Sequence, residues 1–560
     1  MRLDKPGLTI CLALLACWTT LFFLCIPALA GEAPPKNLIV LIMDGCGDEH
    51  LTLARWFKGA PLALDSIRTG AVKSFIADGV IADSAPAASA YATGVRTGGT
   101  IISLGPPAET LPALAPTNGN DILRPRATVL EGARLLGKAT GIVATSRISH
   151  ATPAAFVAHV PQRSQEQDIT EQAVYQNLDV VLGGGRRYLL PASAGGARQD
   201  EEDLAEVLNR RNYQLITDRP GMERLKQPKV FGLFAMSHLE PEIDRRQAAP
   251  HQPSLAEMTR KAIELLANNP RGFLLMVEGS QIDWASHAHD PAHLLGDLLI
   301  FDAAVQAALD FARADGQTLV LALPDHNTGG LSIGNHRSDT SYARLQPDEL
   351  VKPLRNMRCS APALWRRLGP DKTPEKIMEA VKTHWGLDLS LQDARQILEL
   401  SQSLGKEGHY ALGRVIGPKY TYLGWTTHGH TGGDIPLFAF GPHRPIGLLD
   451  APDIGRVSAQ ALGLDLEKLT DRLFVEARQA FPGGAVQLDR RAPHNPVLRI
   501  THENRQAALP VNKNLLSLDG KEIPLEGVVV YVPENDTIYL PRQAVHLIQG
   551  HSKPLPVISK

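Results

Sequence analysis

What most limits how this chain can fold is a set of short, almost uninterrupted apolar runs at 38–43, 141–145, 180–182, 273–277, 318–323 and 436–440. Such a run has no polar face to turn toward water, so it fits a strand covered on both sides. Between two of them Leu294, Leu298, Phe301, Val305 and Leu309 recur at helical spacing, which makes a helix with one apolar stripe. Strands alternating with such helices predict an α/β chain. The expected form is a three-layer sandwich whose largely parallel central sheet is flanked by helices.

The 560 residues, 44% hydrophobic and 21% charged, can fill one large core and a small accessory unit. The alternation breaks at 332–421, where prolines, charges and helix-like stretches at 374–383 and 391–401 predict one large insertion over an end of the sheet. After Phe481-Pro482-Gly483-Gly484, strand-like runs at 497–501, 528–532 and 537–540 and turn signals at Asp519-Gly520 and Asn535-Asp536 predict a small β module. The expected division is a leader at 1–30, a main domain at 31–482 and the β-rich module at 483–560.

In the leader, Arg2 and Lys5 precede an apolar stretch over 8–26, and Ala28-Leu29-Ala30 stands before Gly31. That is the pattern of a secretory signal peptide with a small-residue cleavage site. An uncleaved anchor is the competing reading, since about 20 apolar residues span a bilayer. The alanines favour cleavage, hence an exported protein, periplasmic or extracellular, with no stable span. Leu14-Leu15-Ala16-Cys17 imitates a lipoprotein box but would leave a very short apolar region. Cys11, Cys17 and Cys25 lie in the leader, so only Cys46 and Cys359 belong to the mature chain and their pairing stays open. A net charge of -2 argues against a nucleic-acid partner.

Ligands of open α/β sheets bind outside the carboxyl ends of the strands, so the residues after each apolar run carry the most information. Asp44 follows 38–43, Glu278 follows 273–277, and Asp325-His326 follow 318–323 across Pro324. One acidic residue there is an ordinary strand terminator. Several converging on one edge repel each other, and metal cations are the usual compensation. Asp283 and His287 stand at i and i+4, on one face of a helix. Mixed Asp and His donors suit zinc, although a surface ion pair has the same spacing. His430 lies in the glycine-flanked segment Thr427-His428-Gly429-His430-Thr431-Gly432-Gly433, where His428 competes for a ligand role.

Ser84 lies in Ile81-Ala82-Asp83-Ser84-Ala85-Pro86-Ala87-Ala88-Ser89, small residues that let backbone approach a tetrahedral anion. If Ser84 opens a helix, the N-terminal amides face that anion; a plain helix cap is the alternative. Downstream, Ser149-His150-Ala151-Thr152-Pro153 and Arg163 offer a hydroxyl and a guanidinium, whose planar fork matches phosphate.

Taken in order, Asp44-Gly45, Asp83-Ser84-Ala85, His150-Ala151-Thr152-Pro153, Arg163, Glu278-Gly279, Asp283 with His287, Asp325-His326 and His430-Thr431-Gly432 resemble the signature set of the alkaline phosphatase family, over about 37–481. The resemblance implies a metal-dependent hydrolase of small phosphate monoesters working through a phosphoserine intermediate. It also implies two zinc ions, one on Asp325, His326 and Asp44 and the other on Asp283, His287 and His430. A magnesium would be shared by Asp44, Thr152 and Glu278. Ser84 would be the nucleophile and Arg163 the phosphate clamp, oriented by Asp83. His150 and Trp284 occupy positions that vary in the family beside the third metal, and neither is expected as a direct ligand. Family members often form homodimers, whose interface the insertion could block or create.

The implied chemistry is coherent on its own terms, because a serine hydroxyl needs a cation or a base to become a nucleophile. Two departures stand out: Pro86 interrupts the small-residue run, and Ser89 replaces a closing Thr. A proline in the first helical turn costs little. A related phosphodiesterase or nucleotide pyrophosphatase would use much the same two-metal ligand set. A sulfatase would need Arg where Ala88 stands, and an inactive metal- or phosphate-binding protein would not need every ligand intact.

Overall fold

The computed structural model describes residues 34–107, 111, 114, 118–551 and 558–559; the leader read at 1–30, with its three cysteines, lies outside them. The main sheet uses β1 (Asn37–Met43), β2 (Arg68–Lys73), β3 (Ala139–Arg147), β4 (Val180–Gly184), β5 (Gln214–Ile216), β6 (Val230–Leu233), β7 (Phe273–Gly279), β8 (Thr318–Leu323), β9 (Asp434–Phe440) and β10 (Gly447–Asp450). Its order is β10-β2-β9-β8-β1-β7-β3-β4-β6-β5. Only β9 runs against its neighbours, β8 and β2. Every apolar run named above is a strand of this sheet. The strands that periodicity missed, β2, β5, β6 and β10, lie toward its edges; β2, β5 and β10 are partly wet, and β6 is buried but only four residues long.

β1 is buried throughout, and its pleat splits its side chains between two cores. Ile39, Leu41 and Met43 enter one, which also holds Leu294, Leu298, Phe301, Val305 and Leu309. Leu38, Val40 and Ile42 enter the other, with Ala85, Ala88 and Tyr91. The three layers follow. Three helices matter for the site: α1 (Ser84–Thr93), α2 (Gln281–His287) and α3 (Pro291–Asp315). Asp83 is the N-cap of α1 and its side chain accepts from the Ala85 amide, while every α1 residue is buried. Pro86 falls in the first turn, where its missing N–H has no intrahelical partner anyway.

Register brings the acidic strand ends level. Ile42 of β1 is opposite Glu278 of β7 on one side and Leu323 of β8 on the other. Two residues beyond Ile42 the chain reaches Asp44, and two beyond Leu323 it reaches Asp325.

The insertion holds more helix than its sequence suggested, at Pro347–Asn356, Ala361–Arg367, Pro374–Trp385, Leu391–Leu404 and Tyr410–Tyr420. Leu350, Leu364, Trp385, Ile397 and Leu412 from it share the α3 core. Past residue 480, an antiparallel five-stranded sheet runs from Ala485–Asp489 to Lys521–Pro524. Val530, Val532 and Tyr539 then return to the core beneath α1. Cys46 and Cys359 are both buried and free. Among the described residues no helix is long and apolar enough to cross a membrane.

Candidate active site

Three carboxylates and an imidazole, Asp44, Glu278, Asp325 and His326, meet at the carboxyl edge of the sheet, all with 0% exposure. The Nε2 of His326 lies 3.5 Å from Asp44 and 3.4 Å from Asp325. One Asp325 oxygen accepts from the Gly45 amide at 3.1 Å. Both Asp44 oxygens, the second Asp325 oxygen, one Glu278 oxygen and the Thr152 hydroxyl are buried without a hydrogen-bond partner. Burial, followed by the charges of Asp325, Asp283 and Glu278, pushes the Asp44 carboxyl well above the usual range. Burial likewise lifts Glu278 to about 7. Buried acceptors with neither hydrogen bond nor counter-ion cost several kcal/mol each, unless a cation sits among them.

A second group forms where α2 meets the loop before β9. The Nε2 of His287 is 3.2 Å from Asp283 Oδ2, and the Nε2 of His430 is 3.6 Å from Asp283 Oδ1. The two Nε2 atoms are 3.2 Å apart. The Nδ1 of His287 faces the His428 carbonyl and that of His430 faces the Ala82 carbonyl. A carbonyl only accepts, so both Nδ1 atoms carry hydrogen and both Nε2 lone pairs are free for a cation. Burial opposes charge on His287, but its hydrogen bond to Asp283 and that residue's charge raise it to about 9. The extra proton stands where a cation would. His428 takes no part: its Nδ1 meets the His287 carbonyl at 2.7 Å and its ring stacks on His289.

Thr328 ties the groups together, and strand-end reasoning did not single it out. Its hydroxyl is 2.5 Å from Asp283 Oδ1, and its oxygen is 3.2 Å from His326 Nδ1. The hydroxyl proton goes to the carboxylate, so the oxygen accepts from Nδ1–H and His326 Nε2 keeps its lone pair. Ser84 Oγ, on the first residue of α1, lies 3.1 Å from that Nε2. Asp83 accepts from Arg163 Nη1 with both oxygens at 2.7 Å. Arg163 Nη2 reaches His150 Nε2 at 3.1 Å.

His150 stands nearer the chemistry than its sequence suggested: one of its ring nitrogens converges with oxygens of Asp44 and Glu278 within 4.8 Å. Burial first, then Arg163, His238 and Arg147, hold it well below the ordinary imidazole range, so the ring is neutral and its one lone pair, on Nε2, faces Arg163. Trp284 packs edge-on to it at 5.4 Å, and His238 lies 4.1 Å from Trp284. No local pattern marked His238, since its role comes only from what it touches. Asp44, Asp325 and His326, and separately Asp283, His287 and His430, form the other two convergent groups of this region. The donors therefore fit cations: nitrogen and oxygen in two groups suit zinc, and carboxylate with hydroxyl suits magnesium.

The family model for alkaline phosphatase matches residues 35–464. This chain belongs to the alkaline phosphatase family. Alkaline phosphatase 3 of Bacillus subtilis (strain 168) is 32% identical over 454 residues, covering 78% of this chain and 91% of that protein. The crystal structure of Thermus thermophilus alkaline phosphatase superimposes with a TM-score of 0.68 at 27% identity, over 78% of this chain and 92% of its own. An alkaline phosphatase of the Antarctic bacterium TAB5 has a variant solved with magnesium in a site named M3. It gives a TM-score of 0.53 at 25% identity, over 77% of this chain and 98% of its own. The α/β sandwich is thus the alkaline phosphatase fold, and the chain is an alkaline phosphatase-family enzyme, a hydrolase of phosphate monoesters.

Proposed function

We propose that this alkaline phosphatase works by double displacement through a phosphoserine on Ser84, at a centre of two zinc ions and one magnesium. The observation that carries this reading is the set of buried, partnerless oxygens on Asp44, Glu278, Asp325 and Thr152. Asp44, Asp325 and His326 would hold one zinc; Asp283, His287 and His430 the other. Glu278, Thr152 and Asp44 would hold magnesium, with His150 close enough to join them. When bound, such cations lower the pKa of a hydroxyl and stabilise charge on the entering and leaving oxygens of an in-line displacement.

Arg163, held by Asp83, offers its fork to two phosphoryl oxygens, and the first amides of α1 point the same way. Ser84 Oγ, its proton lost to solvent, attacks phosphorus, and the leaving oxygen departs with the electron pair of the broken P–O bond and takes a proton from water to become the alcohol. Water then enters from the side of Asp283, His287 and His430, displaces Ser84 and frees inorganic phosphate. Arg163 neutralises equatorial oxygen charge in both steps. A phosphodiesterase would share the ligands, but Arg163 and the Glu278–Thr152 pair favour the more highly charged monoester.

The test is turnover of aryl phosphate monoester, phosphate diester and sulfate ester, with and without chelator, by the mature protein and by Ser84→Ala. The variant should lose on the order of a thousandfold in kcat/KM and trap no phosphoserine. Faster diester than monoester turnover, or indifference to chelator, would overturn the reading. We also infer export: residues 1–30 should be missing from the mature protein by mass spectrometry.

A further inference from the structure

Tyr91 of α1 donates its phenol hydroxyl to the carbonyl oxygen of Pro324 at 2.9 Å. Pro324 stands between the last residue of β8 and the Asp325-His326 pair. Tyr91 is 1% exposed and Pro324 is buried too. The carbonyl therefore needs a donor from the protein itself.

The helix dictates this placement. Tyr91 follows Ser84 by seven residues, two turns of an α-helix, so both side chains leave α1 on the same face. Helical side chains lean toward the N-terminus, which carries the phenol back toward Ser84. The ring lies in the core with Val40 and Ile42 of β1 and Leu321 and Leu323 of β8. Its hydroxyl comes out at the strand end, where the acidic turn begins.

Among the described residues, α1 makes two side-chain hydrogen bonds to the turn at 324–326. Ser84 Oγ meets His326 Nε2 at 3.1 Å, and Tyr91 meets Pro324. The first must break whenever Ser84 bonds to phosphorus; the second has no part in bond making and persists through the cycle. We propose that Tyr91 is a positioning residue of this phosphatase: acting through Pro324, it fixes Asp325 and His326 at a set distance from the nucleophile helix while Ser84 is engaged with phosphate. The proposal rests on the reading of Ser84 as nucleophile and of Asp325 and His326 as metal ligands. Without the bond, the turn is free to drift once Ser84 lets go of His326.

The experiment compares the mature loaded enzyme with Tyr91→Phe, which removes one oxygen and keeps the ring in its core. Turnover of 4-nitrophenyl phosphate separates kcat from KM, and a chelator titration reads the affinity for zinc. Zinc affinity and kcat should each fall about tenfold, the lower end for groups that support metal ligands, with KM within about twofold. A bond that serves the fold alone would lower the urea midpoint and leave kcat and zinc affinity unchanged, and that result would overturn the proposal. A second measurement needs no variant: crystal structures of the unmodified enzyme with and without vanadate. Tyr91 should keep its bond to Pro324 while Ser84 leaves His326; loss of the Tyr91 bond on vanadate binding would also overturn it. Failure of the nucleophile reading shows separately, as turnover that survives Ser84→Ala, while the chelator titration of Tyr91→Phe still reports on the metal ligands.

Discussion

Both carboxylate oxygens of Asp83 lie 2.7 Å from Nη1 of Arg163, and the same carboxylate caps the helix that begins at Ser84. One side chain therefore sets the direction of the guanidinium and the start of α1. Asp83→Ala should raise KM and the phosphate inhibition constant about tenfold, the scale of one charge-assisted hydrogen bond, without lowering kcat. Losing the cap should cost about 1 kcal/mol of stability. Steady-state kinetics with product inhibition, and urea unfolding, check the two parts.

Thr328 keeps the Asp283 carboxylate and the His326 ring in register through one hydroxyl. Thr328→Val keeps the shape and removes the bond. Zinc affinity should drop about 10–100-fold, as for other partners of metal-binding side chains, and a chelator titration of the loaded enzyme measures it. Unchanged affinity would mean that packing alone orients His326.

Gly45 has φ +72°, and a Cβ there would stand 2.7 Å from both Asp283 Oδ1 and Thr328 Oγ1. Gly45→Ala meets two penalties, the left-handed backbone and the clash with a carboxylate that cannot retreat. A displacement of this kind costs about a hundredfold in rate. We expect that loss in kcat/KM with the fold intact by circular dichroism.

The metal-free protein should lose stability as pH rises. Burial lifts Glu278 from 4.5 to about 7 and moves Asp44 in the same direction. The folded state thus holds protons that the unfolded chain has released. Its stabilising share is full below pH 4.5 and is lost as pH passes about 7. The His287–Asp283 pair gives way only near pH 9. Cations replace those protons, so the Tm of chelated protein should fall across this window while that of loaded protein does not. Thermal scans at stepped pH compare them; parallel curves would contradict the assignment.

Much of this was legible locally. Asp44, Glu278 and Asp325 end apolar runs, Asp283 and His287 share a helix face, and Ser84 opens a helix behind Asp83. Each follows from a period of two or of 3.6 residues, or from a terminus. Edge strands escaped because their burial patterns are mixed, as in β2 and β10. The insertion's added helices escaped because short amphipathic segments interrupted by proline carry a weak periodic signal.

The sequence by itself determined which residues end strands and start helices, since those signals lie within a few positions of one another. Only the tertiary structure decided that Arg163 reaches Asp83 from 80 residues away, that His430 rather than His428 faces Asp283, that Thr328 joins both histidine groups, and that His150 converges with Glu278. Such choices depend on strand register and on the path of loops, and no local period encodes either. The same holds for a cavity lined by Glu166 and Asp168 on one side and by Arg490 and Tyr531 on the other, residues far apart in sequence that meet only when the chain packs.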